Sequence, residues 1–199
     1  MGKVTKIKSA RKEWKCSKCH SIIKVGDGYF KGEINFGPTI VACLKCGLKP
    51  YEVTTSGWTR RVGRIVEDFT EDYGYGEDSL DQVLQEVYDI QSEVQDRLDN
   101  MPEGLQEGDV GQLLQSRVEM CDDAISELEN IDVSDIKDAV KDEFLSNVSD
   151  ELQKKFEDFS YDQIIESNEI SDDIKHDMIS DFEINLCDEI SDALSSMEY

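Results

Sequence analysis

Histidine is almost missing from this chain: His20 and His176 are the only two. There is also no His-Glu-x-x-His pattern, Gly-rich phosphate loop, nucleophile elbow or kinase-type set, so the common carriers of hydrolytic and nucleotide-dependent chemistry are lacking. Acid pairs such as Asp122-Asp123 and Asp172-Asp173 are what 45 acids in 199 residues supply by chance. The sequence therefore reads as that of a non-enzyme. No apolar run approaches the roughly 18–20 residues needed to cross a bilayer. The basic opening, MGKVTKIKSARKEWK, is not followed by the apolar segment of a secretory leader. Lys6 stands where a myristoylation signal carries Ser or Thr. These features predict a cytoplasmic protein with no membrane partner.

What the chain has in excess is negative charge, unevenly placed. The net charge is −24, with 33% charged and 38% hydrophobic residues. Residues 1–66 hold 14 of the 21 Lys and Arg and only four acids (Glu13, Asp27, Glu33 and Glu52), a net of +10. Residues 67–199 hold the other 7 bases and 41 acids, a net of −34. A basic head is joined to an acidic body, and apolar periodicity in most segments predicts that both are folded.

The six cysteines include two Cys-x-x-Cys pairs, Cys16-Ser-Lys-Cys19 and Cys43-Leu-Lys-Cys46. Each such pair puts two thiolates on one tight turn, and two turns close a tetrahedral cage for Zn2+. Cys16, Cys19, Cys43 and Cys46 are the predicted metal ligands, and a domain with so little core would draw much of its stability from the ion. Gly47, directly after the second pair, lets the backbone turn so that amides face the sulfurs. Cys16-Ser-Lys-Cys19-His20 also matches the haem attachment pattern, but that chemistry needs export and leaves the second pair without a role. A thioredoxin-like role lacks its βαβ context. A two-disulfide framework again needs export. His20 could replace a cysteine, although four thiolates suffice, and it reads as a surface residue beside the cage. Cys121 and Cys187 read as buried thiols on helix faces.

The fold class predicted is α+β: a small N-terminal zinc-ribbon β-hairpin module followed by an acidic all-α region with an antiparallel helical hairpin. Residues 1–66 form the basic ribbon module, with 1–12 a mobile basic tail. A strand over 28–36, a turn at Gly37-Pro38 and a strand over 39–43 lie between the cysteine pairs. Lys49-Pro50 breaks any element, and Trp58 with Ile65 and Val66 packs back onto the ribbon. Residues 67–78 read as a linker. Ser79 and Gln82 fit a capping box, and Leu80, Val83, Leu84, Val87, Val94, Leu98 and Met101 mark an amphipathic helix. A second helix, about 111–130, carries Leu114, Val118, Cys121, Ile125 and Leu128, and residues 79–131 form the hairpin. In residues 132–199, Ile136, Val140, Phe144, Val148 and Leu152 mark a helix broken near Ser149, an aromatic-rich junction follows, and Ser171 caps a last helix.

The stretch Asn100-Met-Pro-Glu-Gly-Leu-Gln-Glu-Gly-Asp-Val-Gly-Gln-Leu-Leu-Gln-Ser-Arg117, the helix ending Ser126-Glu-Leu-Glu-Asn-Ile131, and Lys8-Ser-Ala-Arg11 before the first cysteine pair resemble segments of uncharacterised bacteriophage proteins that join an N-terminal zinc ribbon to an acidic helical hairpin. The resemblance covers roughly residues 8–131. It implies a viral origin and the four cysteine ligands, and brings no activity with it.

Two functional expectations follow. In one, the ribbon is a platform that contacts a host or viral protein, or nucleic acid through residues 1–66, using Lys3, Lys6, Lys8, Arg11, Lys12, Lys15, Lys18, Lys24, Lys31 and Lys45 with Trp14, Tyr29, Phe30 and Phe36 among them. In the other, the acidic body imitates the charge track of DNA and inhibits a host DNA-binding or defence protein. The body could also screen the ribbon at low salt. The apolar stripes leave room for a homo-oligomer, which the charge opposes.

Overall fold

The structure is a computed structural model. It describes residues 3–34 and 37–197, apart from the side chains of residues 71 and 72. Phe36, the last residue of the strand expected over 28–36, lies outside the described residues. The fold is α+β, and the chain divides into two compact units, the first reaching Glu67 and the second spanning Asp68–Met197.

The first unit contains β1 (Lys3–Ile7), β2 (Trp14–Lys15), β3 (Ile22–Ile23), β4 (Tyr29–Glu33) and β5 (Thr39–Cys43). β1, β4 and β5 form one antiparallel sheet in that order, and β2 pairs with β3. β4 and β5 are the hairpin expected between the cysteine pairs, with β4 shorter than predicted. Residues 3–7 are not a mobile tail: Val4 lies opposite Gly32 and Ile7 opposite Tyr29, and both pack against the core. Their β-branched run suits a strand, while the exposed Lys3 and Lys6 suit a sheet edge, where lysine opposes further pairing.

The core joins Ala10, Cys16, Ile23, Tyr29, Val41 and Ala42 to Leu48 and Val53 from the chain beyond the cage. A Cβ on Gly32 would lie 2.5 Å from Val53 Cγ2, so only glycine allows this close cover of the sheet. After a 3-10 turn at Pro50–Glu52 comes α1 (Gly57–Tyr73). Gly63 sits against buried Tyr51, 2.3 Å from its Cβ to a Cβ built on the glycine, which seats the helix on the turn. The segment 67–78 thus differs from the predicted linker, being helical as far as Tyr73. The helical backbone is interrupted at Asp68 (φ −131°, ψ 16°), where the second unit begins.

The second unit contains α2 (Glu77–Asp99), α3 (Glu103–Gln106), α4 (Asp109–Glu129), α5 (Val133–Asn147), α6 (Asp150–Phe156), α7 (Tyr161–Glu166) and α8 (Asp172–Ala193), then a 3-10 turn at Leu194–Ser196. α2 and α4 run antiparallel: Tyr88 donates to Glu129, and Gln91 donates to Asp122 at 2.6 Å. Ser79 is not the cap of α2. The helix starts after Gly76, and the buried Ser79 hydroxyl donates to the Gly76 carbonyl at 2.6 Å. Glu77 and Asp78 then occupy the first turn, where the helix dipole favours acids. Ser149 does begin a new helix, and Ser171 accepts from the Ile174 amide as the cap of α8.

Lys137 on α5 reaches Glu77 (2.7 Å) and Asp162 (3.0 Å), with the Tyr161 ring 5.8 Å away. It ties the starts of α2 and α7 to α5. The Glu77 hydrogen bond outweighs partial burial and holds the ammonium above the usual lysine range. Its stabilisation is therefore complete at neutral pH and is lost only as pH rises through that elevated value.

Cys121 on α4 is wholly buried, and burial pushes its thiol up to about 11. A native sample at pH 7.5 should leave Cys121 unalkylated by iodoacetamide, whereas unfolding in urea exposes it to rapid reaction. Above the ordinary thiol value an unfolded Cys121 ionises and the folded one does not, so this group lowers stability as pH climbs towards about 11. Prompt labelling of Cys121 in the folded chain would refute the assignment.

Candidate metal centre

Two tight turns build the cage. In the first, the His20 amide donates to the Cys16 carbonyl (3.0 Å). In the second, the Gly47 amide donates to the Cys43 carbonyl (3.1 Å). The residue after each second cysteine has a left-handed backbone, φ 61° at His20 and 65° at Gly47. The two turns are thus the same local structure used twice. Glycine meets that conformation without strain, and histidine meets it at a cost.

The four sulfurs of Cys16, Cys19, Cys43 and Cys46 all lie within 4.8 Å of one another, and Cys19 Sγ is 3.8 Å from Cys43 Sγ. Sulfurs bound tetrahedrally to zinc at about 2.3 Å stand about 3.8 Å apart, so the cluster fits such an ion with little contraction. All six cysteines are free thiols. The structure brings together every residue predicted as a ligand. His20 is exposed beside them, as expected for a residue outside the cage.

The surroundings favour thiolates. The Cys43 amide donates to Cys16 Sγ (3.4 Å), and Ser21 Oγ lies 3.0 Å from Cys19 Sγ. The Ser21 hydroxyl is the main cause that pulls Cys19 down to about 6. Hydrogen bonding to Cys19 pushes Cys46 up to about 12. Burial lifts Cys16, but the amides of Cys43, Cys19 and Lys18 outweigh it and leave the thiol below its usual value. Four sulfurs this close share protons unevenly, and a divalent cation among them allows all four to ionise.

Two serines that sequence reasoning did not single out hold the cage in place. Ser17 donates its amide to the Val41 carbonyl (2.8 Å) and accepts from the Val41 amide through Oγ (3.3 Å), pinning the first turn to β5. Ser21 supplies the contact to Cys19 and a carbonyl to the Cys16 amide (2.9 Å). Serine is common in turns, and nothing in the spacing marks these two. Lys18, inside the first turn, reaches the Cys46 carbonyl (3.5 Å) and Glu52 (2.7 Å), linking both turns to the chain beyond.

Replacing His20 with glycine should stabilise the metal-loaded first unit by up to about 1 kcal/mol, since left-handed strain is relieved at some cost in unfolded-state entropy. Thermal unfolding of the loaded chain reads this directly. A lower midpoint for His20→Gly would show that the imidazole does more than tolerate its backbone.

Tyr29, Trp14 and Phe30 belong to the core of the first unit or pack against it. Tyr29 is buried and lies 6.2 Å from Trp14, which is covered by Lys12 (4.3 Å), and Lys6 lies over Phe30 (5.7 Å). Among the described residues, no helix is long and apolar enough to cross a membrane. Comparison with protein-family models, curated proteins and solved structures returned no match.

Proposed function

We propose that this chain is a non-enzymatic zinc-binding interaction protein, whose cysteine cage is a structural zinc ribbon presenting a cationic face to a host or viral protein. The supporting observation is the strong excess of lysine and arginine in the first unit, of whose few acids Glu33 and Glu52 are ion-paired within it. Asp27 accepts from the Lys24 amide, Glu33 pairs with Lys31, and Glu52 binds Lys18 and the Lys49 amide. Lys3, Lys8, Arg11, Lys15, Lys24 and Lys45 remain exposed on the first unit. Four protein ligands fill a zinc coordination sphere, which suits scaffolding rather than catalysis. Phosphate contact by these cations is compatible with the same face. Base stacking finds little support, because the described rings are engaged within the ribbon. The viral setting rests on the resemblance to bacteriophage proteins.

The test is capture of partners from host lysate by the zinc-loaded full chain, with and without nuclease, against the Lys8→Glu/Lys24→Glu/Lys45→Glu variant. Capture that resists nuclease and is lost in the variant supports the proposal. Capture abolished by nuclease makes nucleic acid the partner. Undiminished capture by the variant, displaced by added DNA, would transfer the role to the acidic helices as a DNA mimic.

A further inference from the structure

The second unit has a surface feature that the ribbon reading does not use. α5 and α8 lie side by side, and a groove of about 260 Å³ opens between them. Its floor is Val140, Phe144 and Met178, all buried. Val148, where α5 ends, and Ile174, 38% exposed, form an apolar ledge. Glu143 on one wall and Asp177 and Asp181 on the other form the rim, and no lysine or arginine lines the groove. The spacing explains the pattern: 140, 143, 144 and 147 share one face of α5, and 174, 177, 178 and 181 share one face of α8. α8 turns alternating apolar and acidic positions towards the opening, and α5 adds apolar positions with Glu143 and Asn147.

The volume is below the roughly 300–1,000 Å³ typical of small-molecule sites. It suits one or two aliphatic side chains laid in from outside, with positive charge meeting the rim. An apolar floor between carboxylates on both sides, within a segment of net charge −34, selects the chemistry of the occupant. We propose that the α5–α8 groove docks an amphipathic helix of a partner protein, its aliphatic side chains on Val140, Phe144 and Met178 and its lysines or arginines against Glu143, Asp177 and Asp181. The proposal does not rest on the ribbon reading, since every residue in it belongs to Asp68–Met197.

The probe is a synthetic amphipathic leucine-lysine peptide, titrated into the zinc-loaded full chain at about 0.15 M ionic strength, where long-range attraction is screened. Amide shifts on the wild-type chain should concentrate in 140–148 and 174–181. Ile174→Ser should weaken binding roughly tenfold, the loss of one buried aliphatic contact. Ile184→Ser, at a position also exposed on α8 but outside the groove, should leave it unchanged. A serine-lysine peptide of equal charge should bind far more weakly. Shifts spread over other helices, equal binding of the two peptides, or equal effects of the two isoleucine variants would each overturn the proposal. The wild-type shift map decides it even where a variant folds poorly.

Discussion

Cys16→Ser is expected to take the bound metal from one ion per chain to none and to unfold the first unit, while the helices of the second persist. Structural zinc in comparable small modules is worth about 10–16 kcal/mol of apparent binding energy at neutral pH. The sheet that carries the cage has a small core of its own, eight buried side chains around five-residue strands. Cys16 is the most sensitive of the four positions. It is wholly buried, accepts the Cys43 amide, and belongs to the hydrophobic core as well as to the cage. Metal analysis together with amide dispersion checks both halves of this outcome. A Cys16→Ser chain that keeps its ion and dispersed strand resonances would show that the sulfurs are not the ligands.

The second large effect lies on α8. Leu186 is fully buried, and Leu186→Ala should cost about 2–5 kcal/mol, the lost transfer energy plus the cavity left behind. Ile184, two residues earlier and 54% exposed, should lose little on the same change. Urea denaturation followed by helical ellipticity measures both. Equal costs would mean that α8 is rotated from the face described here.

The cysteine cage was legible because its information is local and chemical: two Cys-x-x-Cys turns spaced for one tetrahedral ion have few other uses. The β4–β5 hairpin, the break at Ser149 and the Ser171 cap were legible for the same reason, each being carried by a turn residue or a cap beside a periodic run. Ile90 completes the buried stripe of Val83, Val87 and Val94, as the helical spacing requires, although the sequence reading passed it over.

β1 was hidden because its two lysines made it read as part of a basic tail, although its three β-branched residues carry the strand. α1 was hidden by Gly57, Gly63 and the nearby Tyr73-Gly-Tyr-Gly76. Yet Trp58, Val62, Ile65 and Phe69 recur at helical spacing and are all buried. Gly63 there marks the close approach to Tyr51 rather than a break. The serines around the sulfurs were beyond reach, because their roles depend on partners that folding alone brings near.

The doubled turn has a consequence for how the molecule behaves in a cell. Each knuckle supplies half of the coordination sphere, and 23 residues of chain separate the two halves. A half-sphere grips weakly, so on the proposed zinc reading ordering of the first unit would be a single concerted event tied to ion uptake. The share of molecules able to present its lysines to the proposed partner would then track the supply of exchangeable metal, and chelation would silence it without altering a residue.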